Sequence, residues 1–305
     1  MVMREQLSLV LATSPHRYVH PFGCRNTYGF GADFLGLLTT LMACLNLEIG
    51  FSLTPPKRPQ GFVIKYGWDD YFEPLFEMVD APLIHYLNIP RLPLQPQLPV
   101  LRPFASAWLR AFSRPRARYF WFDNIAARGT SRVPPLFSDC GNWLRARSEL
   151  MKLIWLYNES TRQEIEQVRS EIDLPDYYHS VCIRRGDKNT EAEYVPMDKY
   201  VNFIRGSSTP DVPLFATSDD YQCIEDLKQA LPERTIFSLT KPVATGYVHK
   251  HFKSLTPEER KSQTCRFLAQ LECLWNADLF IGSNTTNVGL MVNSYRAGEN
   301  VVWVD

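Results

Sequence analysis

The sequence predicts an α/β protein of two Rossmann-like halves facing a cleft, the C-terminal half built on a parallel sheet. Three observations predict it. Short, continuous apolar runs recur through the C-terminal half, each followed by polar loop residues and then a helical pattern. Strands buried on both faces and alternating with helices read this way. In the N-terminal half a loop with Gly29 and Gly31 opens a long apolar segment, and "EIGFSL" follows it, which gives a second β-loop-α-β start. Finally, 305 residues suffice for one large domain or for two ordinary ones, each with its own core. The expected boundary divides the chain into 1–172 and 173–305.

Taken in order, "LSLVLAT" near the start is expected to be the first strand. "NTYGFGADFLGLLTTLMACLNL" is a glycine loop opening a helix, and "EIGFSL" the next strand. From Pro90 to Pro135 proline and arginine are frequent and apolar spacing is irregular. Loops and short helices are expected there, packed on the core by Trp108, Phe112, Tyr119, Trp121 and Phe122. A helix from about Trp143 to Ile172 bridges the halves. "SVCI" is a buried strand that breaks into "RRGDK"; "PLFAT" leads to "SDD" and a helix from about Tyr221 to Leu231; "TIFSL" follows. A helix from about Pro257 to Trp275 leads to the strand "DLFIG", then "SNTTN", then a helix through Tyr295, and "VVWV" closes the chain. In parallel sheets ligands bind beyond the carboxyl ends of the strands. "RRGDK", "SDD" and "SNTTN" all occupy that position.

Bulk properties exclude several function classes. Formal net charge is zero, so nothing favours bulk electrostatic binding to nucleic acid or to an acidic membrane surface. No apolar run is long enough to span a bilayer. "LSLVLAT" is short and poorly flanked for a signal peptide, so the chain reads as cytoplasmic as given, or as Golgi or secretory if an N-terminal anchor has been removed. The seven cysteines are scattered and form no CxxC, which points to reduced, mostly buried thiols rather than disulfides or zinc.

Arg184 and Arg185 end a buried strand. Their bland role is a surface ion pair; their functional role is an anion clamp, because a guanidinium offers bidentate bonds to phosphate and cannot lose its charge. The hydroxyls and amides of Ser283 to Asn287 precede a helix, where they serve as caps and also present donors to an anion. The Gly29–Gly31 loop is either a tight turn with a helix cap or a close approach to a diphosphate. Of the acid pairs, Asp219-Asp220 sits where a helix starts, so capping is the ordinary role. Asp69-Asp70, and Glu191 with Glu193, are the others. No DxD motif, nucleophile elbow or Cys/His pair is present.

"VCIRRGDKNTEAEYVPMDKYV", "LFATSDD" and "LECLWNADLFIGSNTTN" together resemble, in order and spacing, the donor-binding half of the α-1,6-fucosyltransferases that act on core N-glycans and nodulation factors. The resemblance covers roughly Tyr178 to Arg296. It implies a GT-B-like fold and an inverting, metal-independent glycosyltransferase, moving L-fucose from GDP-fucose onto a glycan hydroxyl. The 1–172 half would then serve the acceptor and 173–305 the donor. It puts Arg184 or Arg185 on the donor β-phosphate and Ser283, Thr286 and Asn287 near the diphosphate. Asp187, Lys188 and Glu191 join Arg184 in the catalytic network, with Tyr200, Asp219 and Asp220 in the pocket wall. The glycine loop, Gly29 and Gly31, approaches the donor from the other half. Where the core N-glycan enzyme reads guanine with a histidine and an aspartate, this chain has Cys182 and Gln270. A UDP-sugar donor is therefore an alternative, and an inactive glycan- or nucleotide-binding relative is another. Expected partners are a nucleotide sugar and a glycan or glycoprotein acceptor, with no nucleic acid, no metal and no cofactor.

Overall fold

The structure is a computed structural model. It describes residues 2–14, 17–23, 29–56, 61–80, 132–186, 193–207, 209–246 and 249–305. The anticipated aromatic anchors from Trp108 to Phe122 lie outside these residues. The chain forms two compact units, Met1–Leu156 and Tyr157–Asp305. That division falls earlier than the 172/173 boundary expected from sequence.

The first unit starts with a correction. "LSLVLAT" lies in helix α1, Val2–Thr13, not in a strand. Its buried residues are Leu7 and Leu11, four apart, which is the period of a helix face. The first strand is instead β1, Arg17–His20, with Tyr18, Val19 and His20 buried. Helix α2, Phe30–Asn46, follows the glycine loop as expected; twelve of its seventeen residues are buried, so it is a core helix. Strands β2, Gly50–Leu53, and β3, Glu77–Met78, complete a parallel sheet of order β1-β2-β3. Phe34, Trp68, Phe72 and Trp155 pack edge-on or stacked at centroid distances of 4.3–6.4 Å.

Two carboxylates organise the loops of this unit. Asp33, in the first turn of α2, accepts the N–H of Gly23 at 2.7 Å. Asp70 ends a 3₁₀ turn, Trp68–Asp70. It accepts the N–H groups of Ile64, Lys65, Tyr66 and Gly67 at 2.8–3.1 Å. This member of the Asp69-Asp70 pair is thus an anion seated in a nest of backbone donors.

The anticipated single helix from Trp143 to Ile172 is two helices. Helix α3, Trp143–Ile154, ends because Trp155 leaves helical geometry (ψ 67°) to bury its ring against Phe34 at 4.7 Å. Helix α4, Glu159–Arg169, restarts on Asn158, whose side chain accepts the Thr161 N–H at 2.9 Å. It belongs with the second unit, where it packs along a later helix.

In the second unit the strands are β4 His179–Ile183, β5 Leu214–Ser218, β6 Ile236–Phe237, β7 Leu279–Gly282 and β8 Val301–Trp303. Their order is β6-β5-β4-β7-β8, every pair parallel. Every residue of β4 and β5 is buried, as the continuous apolar runs required. The helices are α5 Met197–Ser207, α6 Gln222–Ala230, α7 His249–Ser254, α8 Pro257–Trp275 and α9 Asn287–Tyr295. Helix α8 spans the residues its sequence indicated. Thr256 and Glu259 form a reciprocal capping box with Pro257 in the first turn. At its other end Arg296 donates to the carbonyls of Trp275, Ala277 and Asp278. Helix α4 packs on α8 through Arg169–Glu272 at 3.0 Å and Lys261–Ser160 at 2.7 Å.

The strand order defines where a ligand fits. The chain runs outward from β4 through β5 to β6, then returns to place β7 on the other side of β4. The order therefore reverses between β4 and β7. A crevice opens beyond the carboxyl ends of strands at such a switch point. Residues 184–186 lie on one side of it and residues 283–286 on the other.

Candidate active site

Arg184 and Arg185 follow the last residue of β4. Both are partly buried, and neither is a free surface cation. The Asp219 carboxylate, just past β5, accepts from the Arg184 guanidinium and from the Arg185 backbone N–H, the latter at 2.7 Å. Adjacent parallel strands bring the two together, since Ile183 sits opposite Ser218 in the register. Arg185 turns back to donate to the Arg184 carbonyl at 3.2 Å and lies over the Tyr194 ring, 5.0 Å from its centroid. The Tyr194 hydroxyl donates to the Gly186 carbonyl. The arginine pair is thus oriented by a carboxylate below and an aromatic face beside it, which fixes a cation at the crevice.

A loop not singled out in the sequence packs against Gly186 and Asp219, next to this pair. After β6 the chain runs to Gly246, whose N–H donates to the Asp219 carbonyl at 2.8 Å. Thr245 bridges Asp220 in antiparallel fashion. Gly246 has φ +99°, and a Cβ there would meet the Gly186 Cα at 2.9 Å; only glycine permits this approach of two backbones. Asp220 precedes Tyr221, the N-cap residue of α6, and its carboxylate accepts the Gln222 N–H at 3.0 Å.

Across the switch point, Ser283 is buried and Thr286 caps α9. The Thr286 hydroxyl donates to the Ser283 carbonyl and accepts the Gly289 N–H, both at 3.0 Å. Gly289 packs so closely that a Cβ would sit 2.3 Å from the Ser283 carbonyl oxygen. Asn287 is exposed at the first position of α9. Asp305, beyond β8, reaches into this turn and accepts from the Ser283 hydroxyl and from the Asn284 N–H at 3.0 Å. Burial pushes its carboxyl up, but these donors together hold it below the usual carboxylate range.

Tyr200 is a core residue of α5, 1% exposed, packed with Val181, Ile183 and Ile281. Burial raises its phenol above the usual range, and Cys182, Arg185 and Asp305 are among the groups acting on it. It packs in the core against β4 and β7. Cys182 is buried in β4, its thiol pushed up to about 12 by that burial. Gln270 is half-buried on α8. In the first unit, Gly29 is the extended N-cap residue of α2 and Gly31 is buried in its first turn. Asp187, Lys188 and Glu191 lie outside the described residues; Glu193 is exposed.

The structure thus brings Arg184, Arg185 and Asp219 together, and Ser283 with Thr286. Sequence reasoning missed Asp305, Tyr194 and the Gly246 loop. An aspartate just past the last apolar run, "VVWV", was the available signal for Asp305. Among the described residues, no cluster of three or more His, Cys, Asp or Glu side chains is arranged to hold a metal ion. No described helix is long and apolar enough to cross a membrane. The six described cysteines are unpaired, and all but Cys140 are buried.

No family model matches the chain, and no curated protein matches it by sequence. Solved structures do match its fold. Fucosyltransferase NodZ from Bradyrhizobium superposes with a TM-score of 0.51 at 15% identity, covering 94% of this chain and 93% of NodZ. NodZ alpha-1,6-fucosyltransferase soaked with GDP-fucose gives 0.50 at 14% identity, covering 92% and 91%. POFUT1 in complex with GDP gives 0.50 at 13% identity, covering 96% and 99%. These likenesses show the anticipated GT-B-like α/β fold with parallel sheets.

Proposed function

We propose that this chain is an inverting, metal-independent glycosyltransferase that moves L-fucose from GDP-fucose onto a glycan hydroxyl. The observation that carries the reading is the arginine pair, held by Asp219 at the carboxyl end of β4 beside the switch point. Transfer from a nucleotide sugar must stabilise a departing diphosphate. A fixed guanidinium does this without a metal, through charge-assisted bidentate bonds aimed at oxygen atoms that gain charge. The other requirement is a base for the acceptor hydroxyl, and Glu191 is the assigned carboxylate, with Asp187 and Lys188 as orienting partners. On the far side of the crevice, the N-terminus of α9 favours negative charge. Support for the donor comes from the neighbours of like fold: one NodZ structure was soaked with GDP-fucose, and one POFUT1 structure holds GDP.

A thermal-shift panel of GDP, UDP, ADP and their sugar conjugates tests the reading. Stabilisation follows RT ln(1 + [L]/Kd), so GDP and GDP-fucose should raise the melting temperature in a dose-dependent way and ADP should not. A UDP response in place of GDP would move the donor to a UDP-sugar, a change that the buried Cys182 makes worth testing. Replacing Arg184 or Arg185 by Ala should cost about 2–4 kcal/mol of transition-state stabilisation, as for a lost oxyanion donor. Lysine should restore little, because a point charge lacks the bidentate fork. Parent-level transfer by both alanine variants would overturn the phosphate assignment.

A further inference from the structure

Asp305 gathers three donors from one turn: the Ser283 hydroxyl, the Asn284 N–H at 3.0 Å and the Thr285 N–H at 3.4 Å. The Thr285 N–H is shared with the Ser283 hydroxyl oxygen at 3.2 Å, and the Thr285 and Ser283 hydroxyls pair at 2.7 Å. These donors are therefore directed at Asp305 or at the Ser283 hydroxyl that Asp305 holds. The N–H groups of Asn287 and Val288, the first two of α9, have no partner among the described residues. Leading N–H groups of a helix are left unsatisfied by the helix itself.

Asp305 comes from a different strand than the turn it holds. Strand β8 pairs with β7 through Gly282↔Trp303, and the Val304 N–H donates to the Gly282 carbonyl at 3.0 Å. This pairing brings the carboxylate to the turn from outside the helix, so it holds the N–H of the Ser283–Asn284 peptide, whose carbonyl the Thr286 hydroxyl holds, and also the Thr285 N–H, which that cap does not touch. Burial of the Asp305 carboxyl is outweighed by its donors, which keep it ionised, and an ionised acceptor makes the stronger bonds.

We propose that Asp305 is a positioning residue for the donor diphosphate. It locks the Ser283–Thr286 turn that leads into the N-terminus of α9, across the switch point from Arg184 and Arg185. Asp305 does not itself touch the donor. The inference rests on the nucleotide-sugar reading above.

The test is calorimetric Kd for GDP and UDP, with guanosine and uridine in parallel, on the parent protein and on Asp305→Ala, Asp305→Asn and Ser283→Ala. Melting temperature is measured for each variant. Asp305→Ala should weaken the nucleotide that the parent binds by about tenfold or more, while the matching nucleoside binds as before. A general structural defect would weaken both. Asp305→Asn retains one acceptor for the Asn284 N–H and should recover part of the loss; Ser283→Ala should lose less than Asp305→Ala. If Asp305→Ala fails to fold, the other two variants decide the question by the same nucleotide-against-nucleoside split. Parent binding of neither GDP nor UDP would remove the nucleotide-sugar reading, and this inference with it. Parent binding with unchanged or tighter nucleotide affinity in the variants would remove this inference alone.

Discussion

The carboxylate of Asp219 accepts the backbone N–H of Arg185 at 2.7 Å and, through its other oxygen, the guanidinium of Arg184. One acid therefore sets both the path of the arginine turn and the aim of its first side chain. The Arg184 and Asp219 side chains are only 22% and 12% exposed, so the pair is shielded enough to matter. Asp219→Ala should lower kcat/KM for sugar transfer roughly 10²-fold or more, near the cost of an oxyanion donor. Asp219→Asn keeps an acceptor for the Arg185 N–H and should lose less. Steady-state kinetics on folded variants checks this; undiminished transfer by Asp219→Ala would show that the arginines need no orienting.

Glu191 and Glu193 compete for the role of base. Glu191→Gln should cut kcat by about 10²–10⁴-fold, the usual range for general base catalysis, with nucleotide affinity near normal. Glu193, which is exposed, should tolerate the same change. Measuring kcat for both variants beside Kd for the nucleotide separates them. A collapse in Glu193→Gln alone would exchange the assignments.

Charge stabilisation by arginine implies that transfer proceeds in excess EDTA. Initial rates with and without chelator should agree within error. Complete loss of rate, restored by manganese or magnesium, would assign the leaving group to a metal instead.

Gly246→Ala tests the loop packed against Gly186. The added Cβ would lie 2.9 Å from the Gly186 Cα, at φ +99°. Neither backbone can give way cheaply, so the cost should be about 1–3 kcal/mol if the loop stays. If the loop instead lifts off, the melting temperature holds and nucleotide affinity falls. Retention of both values would mean that the approach to Gly186 is not maintained in solution.

Glu171 ties the start of this loop to α8. It accepts two bonds from Arg266, one of them at 2.9 Å, and one from Lys241 at 3.0 Å. The Arg266 hydrogen bonds foremost, with Lys241 aiding, hold its carboxyl down to about 2. A depressed carboxyl stabilises the fold above its unfolded value and loses that contribution as pH falls through the folded one. The side chain is 38% exposed, so solvent screening limits the effect to below about 1 kcal/mol. The urea midpoint of Glu171→Gln should lie below the parent at neutral pH. The two should converge as pH falls from about 4.5 toward 2, and also in about 1 M salt. A gap independent of pH would point to packing rather than charge.

Much of the second unit was legible because its signals are local. Continuous apolar runs gave β4, β5 and β7. Thr256, Pro257 and Glu259 are a local capping signal at the start of α8, which lies where the helical pattern was expected to begin. The first unit was less legible. "LSLVLAT" has the composition of a strand, and only the burial of Leu7 and Leu11 on one side marks it as a helix. The break at Trp155 carries no proline or glycine; it arises because that ring is buried against Phe34.

The sequence by itself determined which residue types end the strands: arginines after β4, acids after β5, hydroxyls after β7. It did so because strand, turn and cap preferences act over a few neighbouring residues. Only the tertiary structure decided which of these ends meet. Asp219 reaches Arg184 across 35 positions and Asp305 reaches Ser283 across 22. Both contacts follow from the order β6-β5-β4-β7-β8. That order is set by how helices cover both faces of the sheet, a global packing outcome that no local pattern encodes.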